Sequence, residues 1–292
     1  MRVIFNTKEF SEFNRHKCSE LHYLDFDGIG IILGEKKGEL YSPFSAPFGG
    51  FFLQKKEPAL EAIEAACKKL NEWLKNKKCH ITFPPLFYGE SFISKCISSM
   101  LRNGFKTDYI DLNYYFDLTE PIKMQQSAKN KWNAAVRNNL RFAVANDNDI
   151  ESKKIAYKII IDNRNERGYP PHLSLDELCE TAKAAKARLD CFLVYADDEP
   201  IAAAFVFTVE PKRALAVLWG DNREKTLLRP MNFLAISMAE HYKSQDYLTL
   251  DMTTSTKEGI PNYGLCFFKE RLGCKITLKY TLVNADLATS AY

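Results

Sequence analysis

The sequence lacks most of the short patterns that tie a chain to one chemistry. No G-x-x-x-x-G-K-[ST] loop occurs, so a P-loop nucleotide hydrolase is excluded. No G-x-S-x-G occurs, which removes the nucleophile elbow of the α/β-hydrolases. Gly28-Ile29-Gly30 is too short for a dinucleotide fingerprint. None of the eight cysteines forms C-x-x-C. His16, Cys18 and His22 are close in sequence but lack a second ligand pair, so no metal site is expected. Cys79 and His80 are neighbours on a short strand and point to opposite faces, which rules out a nucleophile–base dyad there. Long apolar runs are missing too. The longest, Ile201 to Phe207, is far short of the roughly 20 residues of a membrane-spanning helix. The opening MRVIFNTKEF has no apolar core of signal-peptide length. Reduced thiols and a cytoplasmic location are therefore expected. Forty cationic against 37 acidic residues leave a formal charge of +3. That is too mild to call for DNA or a membrane surface.

What is present is an ordinary globular composition, with 46% apolar and 26% charged residues in a chain of 292. That length is comfortable for two domains. Residues 21–26 predict a strand, and 28–34 and 39–42, joined by a turn at 35–38, predict a hairpin. A Pro-, Gly- and Phe-rich loop, 42–52, follows, in which Gly49-Gly50 allows close approach of a ligand or another backbone. A helix is predicted over 58–75, with Leu60, Ile63, Cys67, Leu70 and Leu74 on its apolar face. Then come a strand, 79–83, a helix, 90–102, with Phe92, Ile93, Cys96, Ile97, Met100 and Leu101 turned inward, and a Tyr-rich strand, 107–118. Residues 127–146 predict a helix carrying Lys129, Lys131, Arg137 and Arg141 opposite Trp132, Ala135, Val136, Leu140 and Ala143. The second half predicts a helix, 152–166, broken at Gly168-Tyr169-Pro170-Pro171. Ser174 and Glu177 make a capping-box pattern for the next helix. Three strands follow, at 191–196, 201–209 and 214–219. A helix, 230–243, a short strand ending on Asp251, a short helix over 267–272 and a strand, 274–283, complete it. Ile276, Leu278, Tyr280 and Leu282 share one face of that last strand.

The two halves repeat one order of elements without repeating a sequence. The fold class is therefore α/β (α+β), with two domains, each a mixed sheet flanked by helices. The expected boundaries are 1–120, a basic connector helix at 121–150, and 151–292. The stretch from Asp246 to Gly273 concentrates chemistry. An acid ends a strand, a hydroxyl-rich loop (Thr253 to Gly259) follows, and Lys269 comes after two phenylalanines. Ligands in open α/β sheets sit beyond strand carboxyl ends, so a site is expected here.

Several segments resemble the FemAB-like transferases. R-N-N-L-R-F-A (137–143) is similar to that family's R-x-x-I-R-K-A helix. Asp251 followed by Gly264-Leu265-Cys266-Phe267-Phe268-Lys269 and Gly273 resembles its C-terminal signature. RNERGYPPHLSLDEL and the loop S-P-F-S-A-P-F-G-G fit as well. The resemblance implies two tandem GNAT-like domains and transfer of an acyl or aminoacyl group to an amine. It gives Lys269 the role of stabilising the transition-state charge. The donor would be acyl-CoA or aminoacyl-tRNA, bound as a substrate, with no permanently held cofactor. The acceptor would be an amino sugar or amino acid on a cell-wall or surface-polysaccharide precursor, in the cleft between domains. The chain departs from the pattern in two places. It has no insertion for the helical-hairpin arm of tRNA-dependent members, and Leu228 to Phe233 replaces the Gly-rich pyrophosphate loop.

The site residues follow. Lys269, Asp251 and Tyr263 are the catalytic candidates. Asp251 would orient the amine or take its proton, and Tyr263 would protonate the leaving group. Arg229 and Asn232, at the start of the 230–243 helix, are the donor-binding candidates. Arg137, Arg141, Phe268 and Thr253 are the substrate-binding candidates. The plain alternatives are a surface lysine, a turn cap, structural ion pairs and a packed tyrosine. Two rival functions remain: a tRNA-dependent aminoacyltransferase, and a binding module that kept the fold and lost turnover.

Overall fold

The computed structural model describes residues 3–54, 56–75, 77–169 and 173–284. The expected breaker Pro170-Pro171 lies outside these residues. The chain forms two compact units. The first comprises Met1–Asn113, Thr256–Pro261 and Thr277–Tyr292; the second comprises Tyr114–Ser255 and Asn262–Ile276.

In the first unit the strands Glu20–Phe26, Ile29–Lys36 and Glu39–Ser42 form an antiparallel meander. Its two tight turns, Asp27-Gly28 and Lys37-Gly38, have positive φ at both positions. That twist matches the flanking strands. Glu39–Ser42 then runs parallel to Cys79–Thr82, which pairs antiparallel with Thr281–Val283. The helices Leu60–Leu74 and Glu90–Arg102 bury Ile63, Cys67, Leu70 and Leu74, and Phe92, Ile93, Cys96, Ile97 and Met100. Leu60 and Leu101, expected inward, are 38% and 42% exposed. Both sit at helix ends, where the apolar stripe has run past the packed surface. The Pro/Gly/Phe loop folds into the core, and Phe44, Phe48 and Phe51 are buried.

In the second unit, Thr249–Thr254 pairs parallel with Arg213–Asp221, and antiparallel pairing continues through Glu199–Glu210 and Leu189–Ala196 to Arg141–Val144. Ile201 to Phe207 is buried at every position, which explains why it reads as an unbroken apolar run. The helix Ile150–Glu166 starts from the Asp149 cap. Both halves of the Ser174–Glu177 capping box are made. The helix Pro230–Lys243 packs on the helix Gln126–Arg137, with Trp132 stacked on Phe233 at 4.9 Å.

The predicted 127–146 helix needs correction. It ends at Arg137. Asn139 takes φ +53, while Asn139 N and Leu140 N donate to Val136 O and Ala135 O. This is a left-handed C-terminal cap with asparagine in glycine's usual place. Beyond it Arg141 lies on a strand, and Val136 is 49% exposed. Ile276 is likewise exposed rather than part of a buried face.

Candidate functional site

The second unit places a strand and a helix so that three of the predicted residues meet. The strand is Thr249–Thr254. Asp251 is its third residue, not its last. The helix is Tyr263–Arg271, capped at its start by Asn262, whose side chain accepts from Leu265 N at 3.1 Å. Its end is a glycine cap. Gly273 N donates to Glu270 O and Cys274 N to Lys269 O, the paired bonds of a Schellman motif. Gly273 has φ +91, and a Cβ there would lie 2.6 Å from Lys123 O, so only glycine closes this turn. Cys266 and Lys269, three apart, are the buried residues of this helix.

Lys269 is 1% exposed. Its ammonium donates to Thr253 O at 3.0 Å and Thr254 O at 3.1 Å. It also lies 5.4 Å from the centre of the Tyr114 ring. Burial lowers its pKa from 10.5 to about 8, against the opposing pull of Cys274, Asp251 and Cys266. At pH 7 it still carries its proton about ten to one. Burial pushes the Cys274 thiol well up, and burial with bonding to Cys266 and Glu270 does the same for the Tyr114 phenol. Both stay neutral beside the ammonium.

Asp251 is also 1% exposed, and its Oδ1 accepts from Thr253 N at 2.8 Å. Thr253 therefore has its N–H held by Asp251 and its carbonyl held by Lys269. Its φ is +64, an outlier for a β-branched residue. Such a conformation costs roughly 1–3 kcal/mol and persists only where its surroundings impose it. Ser255, two residues on, is 3% exposed, and its Oγ has no partner among the described residues. The cluster thus offers a buried cation, a buried carboxylate, an orphan hydroxyl and a strained peptide between them. That set can bind and polarise a carbonyl, and it can take a proton from an attacking group.

The other predicted residues fall elsewhere. Tyr263 is 79% exposed. It sits six helical positions, about 9 Å of rise, from Lys269 and on a different face. Phe267 is 51% exposed and lies under the Arg271 guanidinium at 3.4 Å, so it is no wall for the lysine. The aromatic wall is Tyr114. Phe268 packs on Trp219 at 5.9 Å and fixes the helix to the sheet. Arg229 and Asn232 do share the first turn of the Pro230–Lys243 helix. Arg229 is its N-cap at φ +64, and Asn232 is buried. Arg137 is exposed at a helix end. Arg141 stacks over Tyr195 at 4.3 Å.

Sequence reading missed Tyr114 and Cys274 as neighbours of Lys269. Tyr114 lies 155 positions away on a strand whose tyrosines look alike. It also missed a group in the first unit. Glu20, His22 and Glu35 have ligand-type atoms within 4.8 Å of one another. Glu35 comes from the strand paired with Glu20 and is already held by Lys77 at 2.6 Å.

No family model matches the sequence, and no curated protein does. Solved structures do match the fold. FemX is similar at TM-score 0.65 and 11% identity, over 94% of this chain and 91% of that one. L-PGS from Bacillus licheniformis is similar at 0.62 and 12%, over 97% and 93%. A conserved protein of unknown function from Bacteroides thetaiotaomicron is similar at 0.62 and 11%, over 97% and 92%. At such identities the likeness is one of fold: a mixed α/β fold of the kind seen in FemX and L-PGS. Among the described residues no helix is long and apolar enough to cross a membrane.

Proposed function

We propose that the chain is an acyl- or aminoacyltransferase acting on an amine, with its chemistry at Asp251, Thr253 and Lys269. The observation that carries this is the strained Thr253 peptide, clamped between a buried carboxylate and a buried ammonium. Backbone strain of this kind is concentrated at working sites. In the proposed reaction the amine nitrogen attacks the donor's carbonyl carbon. The carbonyl oxygen gathers negative charge, and two of the lysine's three N–H bonds are committed to backbone. The third serves the oxyanion. Asp251 receives the proton that the amine loses. The bond to the leaving sulfur or oxygen then breaks as the carbonyl re-forms, and that atom takes the proton back from Asp251 to leave as a thiol or hydroxyl. A fixed charge of this kind stabilises the transition state more than the ground state, which is what raises the rate.

The donor in this reading is acyl-CoA or aminoacyl-tRNA. Arg229, Asn232 and the first turn of the Pro230–Lys243 helix would receive its phosphates, since helix starts attract anions. Pro230 at the first position removes one backbone donor from that set. The acceptor class is an amino sugar or amino acid on a cell-wall or surface-polysaccharide precursor, with Arg137, Arg141, Phe268 and Thr253 the residues to test for its binding. The fold shared with FemX and L-PGS supports the reaction type.

One observation favours a second reading, a binding protein that kept the fold and lost turnover. Lys269 is almost fully enclosed and makes two backbone hydrogen bonds, as a purely structural lysine would. The experiment that separates the two mixes the protein with labelled acetyl-CoA or an aminoacyl-tRNA and an amino-sugar nucleotide. Product that forms with the parent and not with Lys269→Met supports transfer. A folded parent that releases no thiol and deacylates no tRNA under any pairing overturns it.

A further inference from the structure

The first unit contains a hollow of about 450 Å³ that the transfer site does not use. Part of its wall comes from one face of the meander. Tyr23 pairs with Ile32, Asp25 with Gly30, and Gly30 with Phe52. Residues directly opposite in a ladder project to the same face. Gly30 is what shapes the wall. A Cβ there would lie 2.4 Å from the tip of the Phe52 ring, so the ring rests flat on bare backbone and presents an aromatic surface. Ile32, 6% exposed, forms an apolar floor beside it.

The polar groups are unequally committed. The Asp25 oxygens accept from Gly28 N at 2.7 Å and Gln54 Nε2 at 2.9 Å. The Tyr23 hydroxyl donates to Glu12 at 3.0 Å. Lys8 holds its ammonium 5.9 Å above the Tyr23 ring, at the rim. Asn6 is 4% exposed, and its Nδ2 has no hydrogen-bond partner among the described residues. A buried donor left unmade costs about 1–3 kcal/mol, so a small shift of this amide toward an acceptor in the hollow would be favoured. An adjoining void that Asn6 also lines, about 10 Å³, has room for one water and no more.

A hollow of this volume is in the range of small-molecule sites, which combine apolar walls with a few placed polar groups. We propose that it binds a small carboxylate with an aromatic or aliphatic body. The carboxylate would meet Asn6 Nδ2 and the Lys8 ammonium, and the body would lie on Phe52 and Ile32. This assignment is independent of the transferase reading.

The test titrates the ¹⁵N-labelled full chain with benzoate, with hexanoate, and with benzyl alcohol as the uncharged counterpart. Saturable shifts at residues 6–8, 23–25 and 30–32 are expected with both carboxylates. Lys8→Met, at an exposed position, should weaken benzoate by about tenfold, the scale of one charge-assisted hydrogen bond. Benzyl alcohol should bind the parent about as weakly. The thermal midpoint of Lys8→Met serves as the fold control. Shifts that do not saturate, or benzoate affinity unchanged by Lys8→Met, would overturn the proposal and leave Asn6 satisfied by the single water of the smaller void.

Discussion

Replacing Lys269 by methionine keeps the length and apolar character of the stem and removes the ammonium. The fall in pKa from 10.5 to about 8 means that burial disfavours the charged form by about 3 kcal/mol. Methionine relieves that cost. Against this, Thr253 O and Thr254 O lose their donor, at about 1–3 kcal/mol each. The terms nearly cancel at the low end, so a folded protein with a modestly lower melting temperature is expected. The rate does not share that compensation. Loss of one oxyanion donor costs about 100- to 1000-fold in turnover, roughly 3–4 kcal/mol. Stability also has a pH signature. The folded pKa is the depressed one, so between pH 8 and 10.5 the unfolded chain binds more protons than the folded one. The parent should therefore gain stability relative to Lys269→Met as pH rises through that window, by up to about 3 kcal/mol. Cys274 and Tyr114, whose pKa values burial raises, stay protonated below it. Denaturant titrations of both proteins at pH 7.5, 9 and 10.5 read this without any substrate. Single-turnover kinetics read the rate. A stability difference that is flat across the window would refute the buried, charged lysine. A mutant retaining more than about a third of the parent rate would refute the oxyanion role.

Asp251→Asn keeps an oxygen for Thr253 N and should hold the fold, while turnover drops by about 10²–10⁴ if the carboxylate takes the amine's proton; thermal melting and single-turnover kinetics give the two readings. Thr253→Gly releases a β-branched residue from φ +64, which should raise stability by about 1 kcal/mol and lower activity, a pairing that a denaturant midpoint and a rate together would show. Arg229→Ala should weaken CoA or tRNA binding in calorimetry with no change in melting temperature; equal affinity would remove that helix start as the phosphate site. Gly273→Ala must fit a Cβ 2.6 Å from Lys123 O at a positive φ, and should cost at least about 2 kcal/mol in unfolding free energy.

The sequence made the elements legible because their signals are local. The Pro230–Lys243 helix, the Ser174 capping box and the meander turns depend on residues a few positions apart. Errors arose where a tertiary contact decides. Leu60 and Leu101 fit the helical period, but the packed surface ends before them. The 127–146 helix had no proline or glycine to stop it, and only the left-handed Asn139 shows why it stops. The site divides in the same way. Lys269 and Asp251 could be picked from one stretch of chain. The ring over the ammonium could not, because Tyr114 arrives from a strand 155 residues earlier. Nor could the exposure of Phe267, since the apolar run around Lys269 shows no face. The strained Thr253 was the least legible of all, for nothing in T-T-S-T announces a positive φ. Yet it is Thr253 that binds the two charged residues into one arrangement. Asp251 holds its N–H and Lys269 its carbonyl, so both charges bear on the same peptide. The effects of Asp251→Asn and Lys269→Met should therefore be less than additive in the double variant, as for residues in one hydrogen-bond network. Rate losses that simply multiply would mean that the two side chains act on the substrate separately, with Thr253 a bystander between them.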